Sequence, residues 1–195
     1  YGVELLRVLK KLGQPTHLIL SEMGQRTIDI ESGVPLEEVR AMADEVHNIK
    51  DLGSSVASGS CPTRGMVIAP CSIKTLSGIA HSFSYNLMIR AADVTLKEGR
   101  PLVLMVRETP LHKGHLELLL RFGFPDSGQA AVDALDDPQR HLFVFVGHFS
   151  NGTHSYFGGA DAIFPAIGEL FRNPLALDFH EFKFAIFKFR KICER

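Results

Sequence analysis

Apolar residues recur with a helical period at the start of the chain, where Leu5, Leu6, Val8, Leu9 and Leu12 share one face ahead of Gly13. This predicts a helix over 1–12. A short apolar run over 16–20, ending at Ser21, reads as a strand, and a second helical stripe over 35–45 aligns Leu36, Val39, Met42 and Ala43. Residues 66–69 form a continuous apolar run broken by Pro70-Cys71-Ser72, which predicts a buried strand. Helical patterns follow over 73–81 and 86–97, then a buried strand over 101–106 and a closing helix over 112–121. Strands alternating with helices point to an α/β fold with a parallel sheet.

Beyond residue 121 the pattern changes. Thirteen of the fourteen Phe residues lie there, Phe83 being the exception, so a boundary is expected near Gly123. The expected organisation is an α/β domain over 1–121 and a divergent Phe-rich tail over 122–195. In the tail, 141–146 reads as a strand followed by a polar turn at Ser150-Asn151-Gly152-Thr153. Near the end Phe182, Phe184 and Ile186 alternate with Lys183 and Ala185 ahead of Arg190 and Lys191. That reads as an edge strand, an aggregation-prone segment or a membrane-surface segment.

Composition narrows the classes. At 45% hydrophobic and 22% charged residues the chain can bury a core, which excludes disordered and collagen-like classes. No apolar run approaches the roughly 20 residues of a membrane helix, so no membrane partner is expected. A formal net charge of -1 argues against a nucleic-acid partner. Cys61, Cys71 and Cys193 form no CxxC pair, which reads as free thiols in a reducing compartment, cytoplasmic or, in a eukaryote, mitochondrial.

In parallel sheets, ligands collect beyond the carboxyl ends of the strands. Those ends carry Ser21, then Ser72 with Lys74 and Thr75, then Arg107 with Glu108. Hydroxyls and a guanidinium on one rim suit a phosphorylated ligand, a nucleotide first of all. Ser72 ahead of Ile73 equally suits a plain helix N-cap. Arg90, Asp93 and Lys97 share a helical face, as a solvated charge ladder would. His112 and His115 have no Cys or acidic partner at zinc-like spacing, so no metal is expected there. Cys71 reads as a small buried residue, and Ser58-Gly59-Ser60 as a turn or a ligand loop.

Several segments together resemble the flavin prenyltransferases, the UbiX/Pad family formerly described as phenylacrylic acid or 3-octaprenyl-4-hydroxybenzoate decarboxylases. They are Tyr1-Gly2-Val3, Ala57-Ser58-Gly59-Ser60, the run 65–76, Asn86-Leu87, the run 90–98 and Arg107-Glu108-Thr109-Pro110-Leu111, in order over residues 1 to about 121. The resemblance implies a Rossmann-like (flavodoxin-like) three-layer αβα flavoprotein fold. It also implies transfer of a dimethylallyl group from its mono- or diphosphate to reduced FMN. The product, prenylated FMN, would serve a UbiD/ferulate decarboxylase-type client. No metal is implied, and the assembly would be a homo-oligomer, a dodecamer of trimers with active sites at subunit junctions. Ser21, Ser72, Ile73, Lys74, Thr75 and Arg107 match FMN-binding positions, while Glu31, Arg90, Lys97 and Glu108 match the polar residues around the prenyl phosphate and reacting flavin.

The chain also departs from that pattern. The family's first strand and its Gly-Ala-Ser-Gly loop should precede Tyr1. Its C-terminal apolar strand, Tyr-bearing proline-rich segment and Arg-bearing helix should follow the helix near Arg121. Smaller departures are Cys61 and Pro62, Tyr85 and Gly99. Three accounts arise: a piece of a prenyltransferase, a homologue without activity, or a rewired chain in which 141–146 and the Ser150–Thr153 turn fill the first-strand position. The competing functions are an FMN-binding or assembly-only homologue and a flavin-dependent cysteine decarboxylase.

Overall fold

A computed structural model describes residues 2–108, 110–121, 142–150 and 153–157. Its elements in chain order are α1 (Gly2–Lys11), β1 (His17–Ile19), α2 (Glu22–Glu31), α3 (Leu36–Arg40), β2 (Glu45–His47), β3 (Met66–Cys71), α4 (Ile73–Ala80), α5 (Leu87–Lys97), β4 (Leu102–Arg107), α6 (Lys113–Leu120), β5 (Leu142–Ser150) and β6 (Thr153–Phe157), with a 3₁₀ turn at Ser55–Ala57. Tyr1, Thr109, the segment 182–191 with its alternating Phe residues, and Cys193 lie outside the described residues.

Among the described residues the strands form two sheets, β1-β2 and β3-β4-β5-β6. β1 and β2 run parallel, as do β3, β4 and β5, whereas β6 closes the larger sheet as an antiparallel edge strand. The parallel α/β expectation therefore holds, with one antiparallel strand added by the tail. The rewiring expectation does not. β5 pairs with β4 from Leu102↔Leu142 to Arg107↔Gly147, on the side of β4 away from β3. An apolar strand thus follows α6 beside β4, and the first-strand position is not where the tail goes.

Burial explains why β4 organises the fold. Leu102, Val103 and Leu104 are fully buried and Val106 nearly so, as expected for a strand covered on both faces. Ile68, Cys71, Leu76, Ile79, Ile89, Ala92 and Leu119 complete this core. The helices α4 and α5 approach closely at Gly78, where an added Cβ would lie 2.4 Å from the Ile89 Cδ1. A smaller cluster of Leu6, Val39 and Met42 supports the β1-β2 side.

Two elements differ from the sequence expectation. The helix expected over 35–45 ends at Arg40, and Glu45–His47 is a strand. Parallel pairing with β1 holds it, in a segment with too few apolar residues to show a period of two. The sequence pattern also omitted α2, whose residues Glu22–Glu31 include none that is buried, so it presents no apolar stripe. β3 continues through Pro70 to Cys71, with its register against β4 shifting between Ile68 and Cys71.

Candidate functional site

Two strand-to-helix turns are built alike. Ser21 follows β1 and caps α2, its Oγ accepting from the Gly24 backbone N–H at 3.0 Å. Ser72 follows β3 and caps α4, its Oγ accepting from the Thr75 N–H at 3.3 Å and lying 3.2 Å from the Thr75 Oγ1. Each cap uses acceptor capacity, and a hydroxyl retains a proton to donate. Capping and ligand binding are compatible at both serines. The N–H groups of the first turn and the helix dipole favour negative charge at the same ends. Ile73, half-buried, opens α4 against the main core. Lys74 extends over the Tyr85 ring at 5.0 Å.

Arg107 is the last residue of β4, a third strand end. Its guanidinium donates to both carboxylate oxygens of Glu31 at 3.1 Å each, a fork-to-fork contact across 76 positions of sequence. That contact joins the end of α2 to the end of β4. It also holds the Glu31 carboxyl below its ordinary value, chiefly through the hydrogen bonds from Arg107. A residue expected near the reacting flavin and a residue expected to bind FMN are therefore direct partners. Glu108 follows Arg107 and is half-buried.

The second group lies along α5. Arg90 donates from Nε to the Ala57 carbonyl at 3.2 Å and lies 3.5 Å from Asp93. Lys97 pairs with Glu98 at 3.1 Å, so the expected ladder ends at Asp93. The loop 57–63 is fixed against this helix end. Arg100 donates to the carbonyls of Gly59 and Cys61, at 2.7 Å each, and to the Thr63 Oγ1 at 3.1 Å. A Cβ on Gly59 would come within 2.3 Å of the Glu98 Oε1, so glycine permits this close approach. The Ser58-Gly59-Ser60 segment is thus a loop seated on the Lys97 end of α5. Arg100 and Glu98 were not singled out from the sequence, because partners 37 to 41 positions away leave no local signal.

Cys71 is fully buried, and burial pushes its thiol up to about 12. It is a packing residue at the rim, with no thiolate to act as a nucleophile. His112 caps α6 by accepting from the Gly114 N–H at 3.0 Å. The helix-start reading of that histidine holds. A different set was missed: His17, Glu45 and His47 bring their ligand atoms within 4.8 Å of one another. Their partnership depends on the register of β1 with β2, which residue spacing does not reveal.

The family model described as Flavoprotein matches residues 1–134. "Flavin prenyltransferase UbiX" of Salmonella typhimurium is 56% identical over 120 residues, covering 61% of this chain and 64% of that relative. The chain therefore spans a little under two thirds of that relative's length. A crystal structure of AnUbiX (PadA1) in complex with FMN and dimethylallyl pyrophosphate superposes with a TM-score of 0.63 at 38% identity, over 73% of this chain and 68% of that one. A dodecameric FMN-dependent UbiX-like decarboxylase from Escherichia coli O157:H7 gives 0.65 at 34% identity, over 87% and 84%. The α/β architecture agrees with these likenesses, and the chain belongs to the Flavoprotein family.

Proposed function

We propose that this chain is a flavin prenyltransferase, moving a dimethylallyl group from dimethylallyl phosphate or diphosphate onto reduced FMN. The observation that carries the reading is the rim of Ser21, Ser72, Thr75 and Arg107 at three strand ends. Relatives named flavin prenyltransferases, and a solved relative holding FMN and dimethylallyl pyrophosphate, support it. The donor set fits a flavin nucleotide: hydroxyl protons, first-turn N–H groups, a guanidinium and the half-buried Ile73 as apolar wall. Lys74 adds positive charge at the same turn.

FMN, as substrate, supplies the N5 and C6 atoms between which the new ring is built. The chain's own residues do the rest. Breaking the allylic C–O bond places negative charge on the departing phosphate, and Arg90 and Lys97 stabilise that charge without a metal. Glu108 gives the phosphate a proton, and Glu31 accepts the proton lost from C6. Arg107 keeps Glu31 ionised, in the base form. The same ion pair lowers its proton affinity, so proton transfer to Glu31 accompanies loosening of the Arg107 contact.

Assembly belongs to the same proposal. Lys97 is 64% exposed at the end of α5, which suits a site completed at a subunit junction in a homo-oligomer. The dodecameric solved neighbour supports this reading. Residues 1–121 carry the candidate site of the flavoprotein unit and 122–195 add β5 and β6 to its sheet, and the product passes to a UbiD-type decarboxylase. The free thiols of Cys61 and Cys71 favour a reducing compartment, cytoplasmic or mitochondrial.

The test is anaerobic incubation with reduced FMN and each prenyl donor, followed by mass spectrometry of the flavin. A prenylated FMN is expected; flavin bound without product would contradict the assignment. Lys97→Ala should cut turnover far more than FMN binding, and unchanged product formation would remove its role.

A further inference from the structure

We propose that His17, Glu45 and His47 form a binding site for a zinc-class divalent metal that clamps β1 to β2. Parallel pairing sets His17 opposite Glu45 and Ile19 opposite His47, so all three side chains fall on one face of the two-stranded sheet. The His17 Nδ1 lies 2.9 Å from the His47 Nε2 and 3.2 Å from a Glu45 carboxylate oxygen. The imidazoles stack with centroids 5.2 Å apart.

Three potential donor atoms thus converge on one small volume. With zinc at about 2.0–2.2 Å from each ligand, tetrahedral donors stand roughly 3.3–3.4 Å apart, so an opening of about half an ångström or less admits the ion between the His17 and His47 nitrogens. Without metal, a single proton between those nitrogens serves one pair of them; a dication serves all three ligands. Two histidines and a carboxylate leave a fourth position for water.

The surroundings accommodate the metal-binding tautomer. The His47 Nδ1 lies 2.6 Å from the Ser54 Oγ, and His47 is 8% exposed. An Nδ1–H donated to Ser54 leaves the Nε2 lone pair directed at His17 and fixes the ring, as an outer hydrogen bond does for metal-bound histidines. Ser54 directly precedes the 3₁₀ turn whose Ala57 carbonyl accepts from Arg90. Loading the site would therefore brace the loop between β2 and β3, which packs on α5. The clamp is separate from prenyl transfer: His17 begins β1, four residues and about 13 Å of extended chain before Ser21.

The experiment is a titration of the chelator-stripped full chain with Co²⁺, followed by competition with Zn²⁺. It uses no flavin, so it succeeds or fails independently of the prenyltransferase reading. One equivalent should develop the intense visible bands of four-coordinate cobalt, and zinc should abolish them. His17→Gln and His47→Gln should remove the bands, Ser54→Ala should weaken affinity about 10- to 100-fold, and His112→Gln with His115→Gln should change nothing. Absence of the bands in the unmodified chain would overturn the site, whatever the variants do. Bands surviving in His17→Gln would assign the metal elsewhere and overturn it equally.

Discussion

The two sheets of this molecule are held by different physics. Around β4 the chain is shielded on both faces: Leu76, Leu87, Ile89, Leu102 and Leu104 are all fully buried, and α4 and α5 approach closely at Gly78. The β1-β2 side has two three-residue strands whose side chains are mostly half-buried or exposed, a small apolar cluster and a helix, α2, with no buried residue. Polar contacts fix that side instead: Arg107 to Glu31, His47 to Ser54, and the Thr16 N–H to Asp44 at 2.7 Å. The lesson is a division of labour. The apolar half supplies most of the stability, and the groups that can meet charged ligands come from the ends of both halves, Ser21 and Glu31 from one and Ser72, Thr75 and Arg107 from the other.

That contrast can be broken most directly by truncating one leucine on each side. Leu104→Ala should cost about 2–5 kcal/mol, because a fully buried side chain leaves a cavity that tight packing cannot collapse. Leu18→Ala, in the half-buried β1, should cost only about 1–2 kcal/mol. Urea unfolding of both variants measures the difference, and equal losses would contradict the division. Ser72→Ala removes the α4 cap and should cost about 1 kcal/mol in the same assay. FMN affinity should also fall, since the hydroxyl donor goes with the cap.

The smallest effect concerns pH. Glu31 has its carboxyl held below the ordinary 4.5 by Arg107, so its contribution is full above that value and is lost as pH falls through the depressed folded value. With the Glu31 side chain 54% exposed, solvent screening limits the pair to a few tenths of a kcal/mol. Thermal midpoints of the unmodified chain and Glu31→Gln should differ slightly at neutral pH and converge as pH falls through the depressed carboxyl value. A gap that persists in acid would assign Glu31 a packing role instead.

The same division governs what was legible in the sequence. The helices expected over 73–81 and 86–97 match α4 and α5 within a residue or two, because Ser72 and Asn86 are local caps ahead of strongly apolar stripes. β4 was visible as the unbroken apolar run 102–106, within the strand expected over 101–106. Glu45–His47 was not visible, since pairing with β1 rather than apolar periodicity maintains it, and Glu22–Glu31 was not, since it buries no residue that would mark a stripe. In the candidate site, Ser21 and Ser72 could be found from their places at strand ends. The Arg107–Glu31 fork, the Arg100 knot on loop 57–63 and the His17–Glu45–His47 cluster could not, because each joins residues 28 to 76 positions apart through the fold.

The central claim is that the strand-end rim cradles a flavin nucleotide, and isothermal calorimetry with FMN tests it most directly. The account predicts saturable binding with one flavin per chain, weakened at least tenfold, about 1.4 kcal/mol, in Arg107→Met. Absence of any heat of binding in the unmodified full chain, or binding indifferent to Arg107, would contradict it.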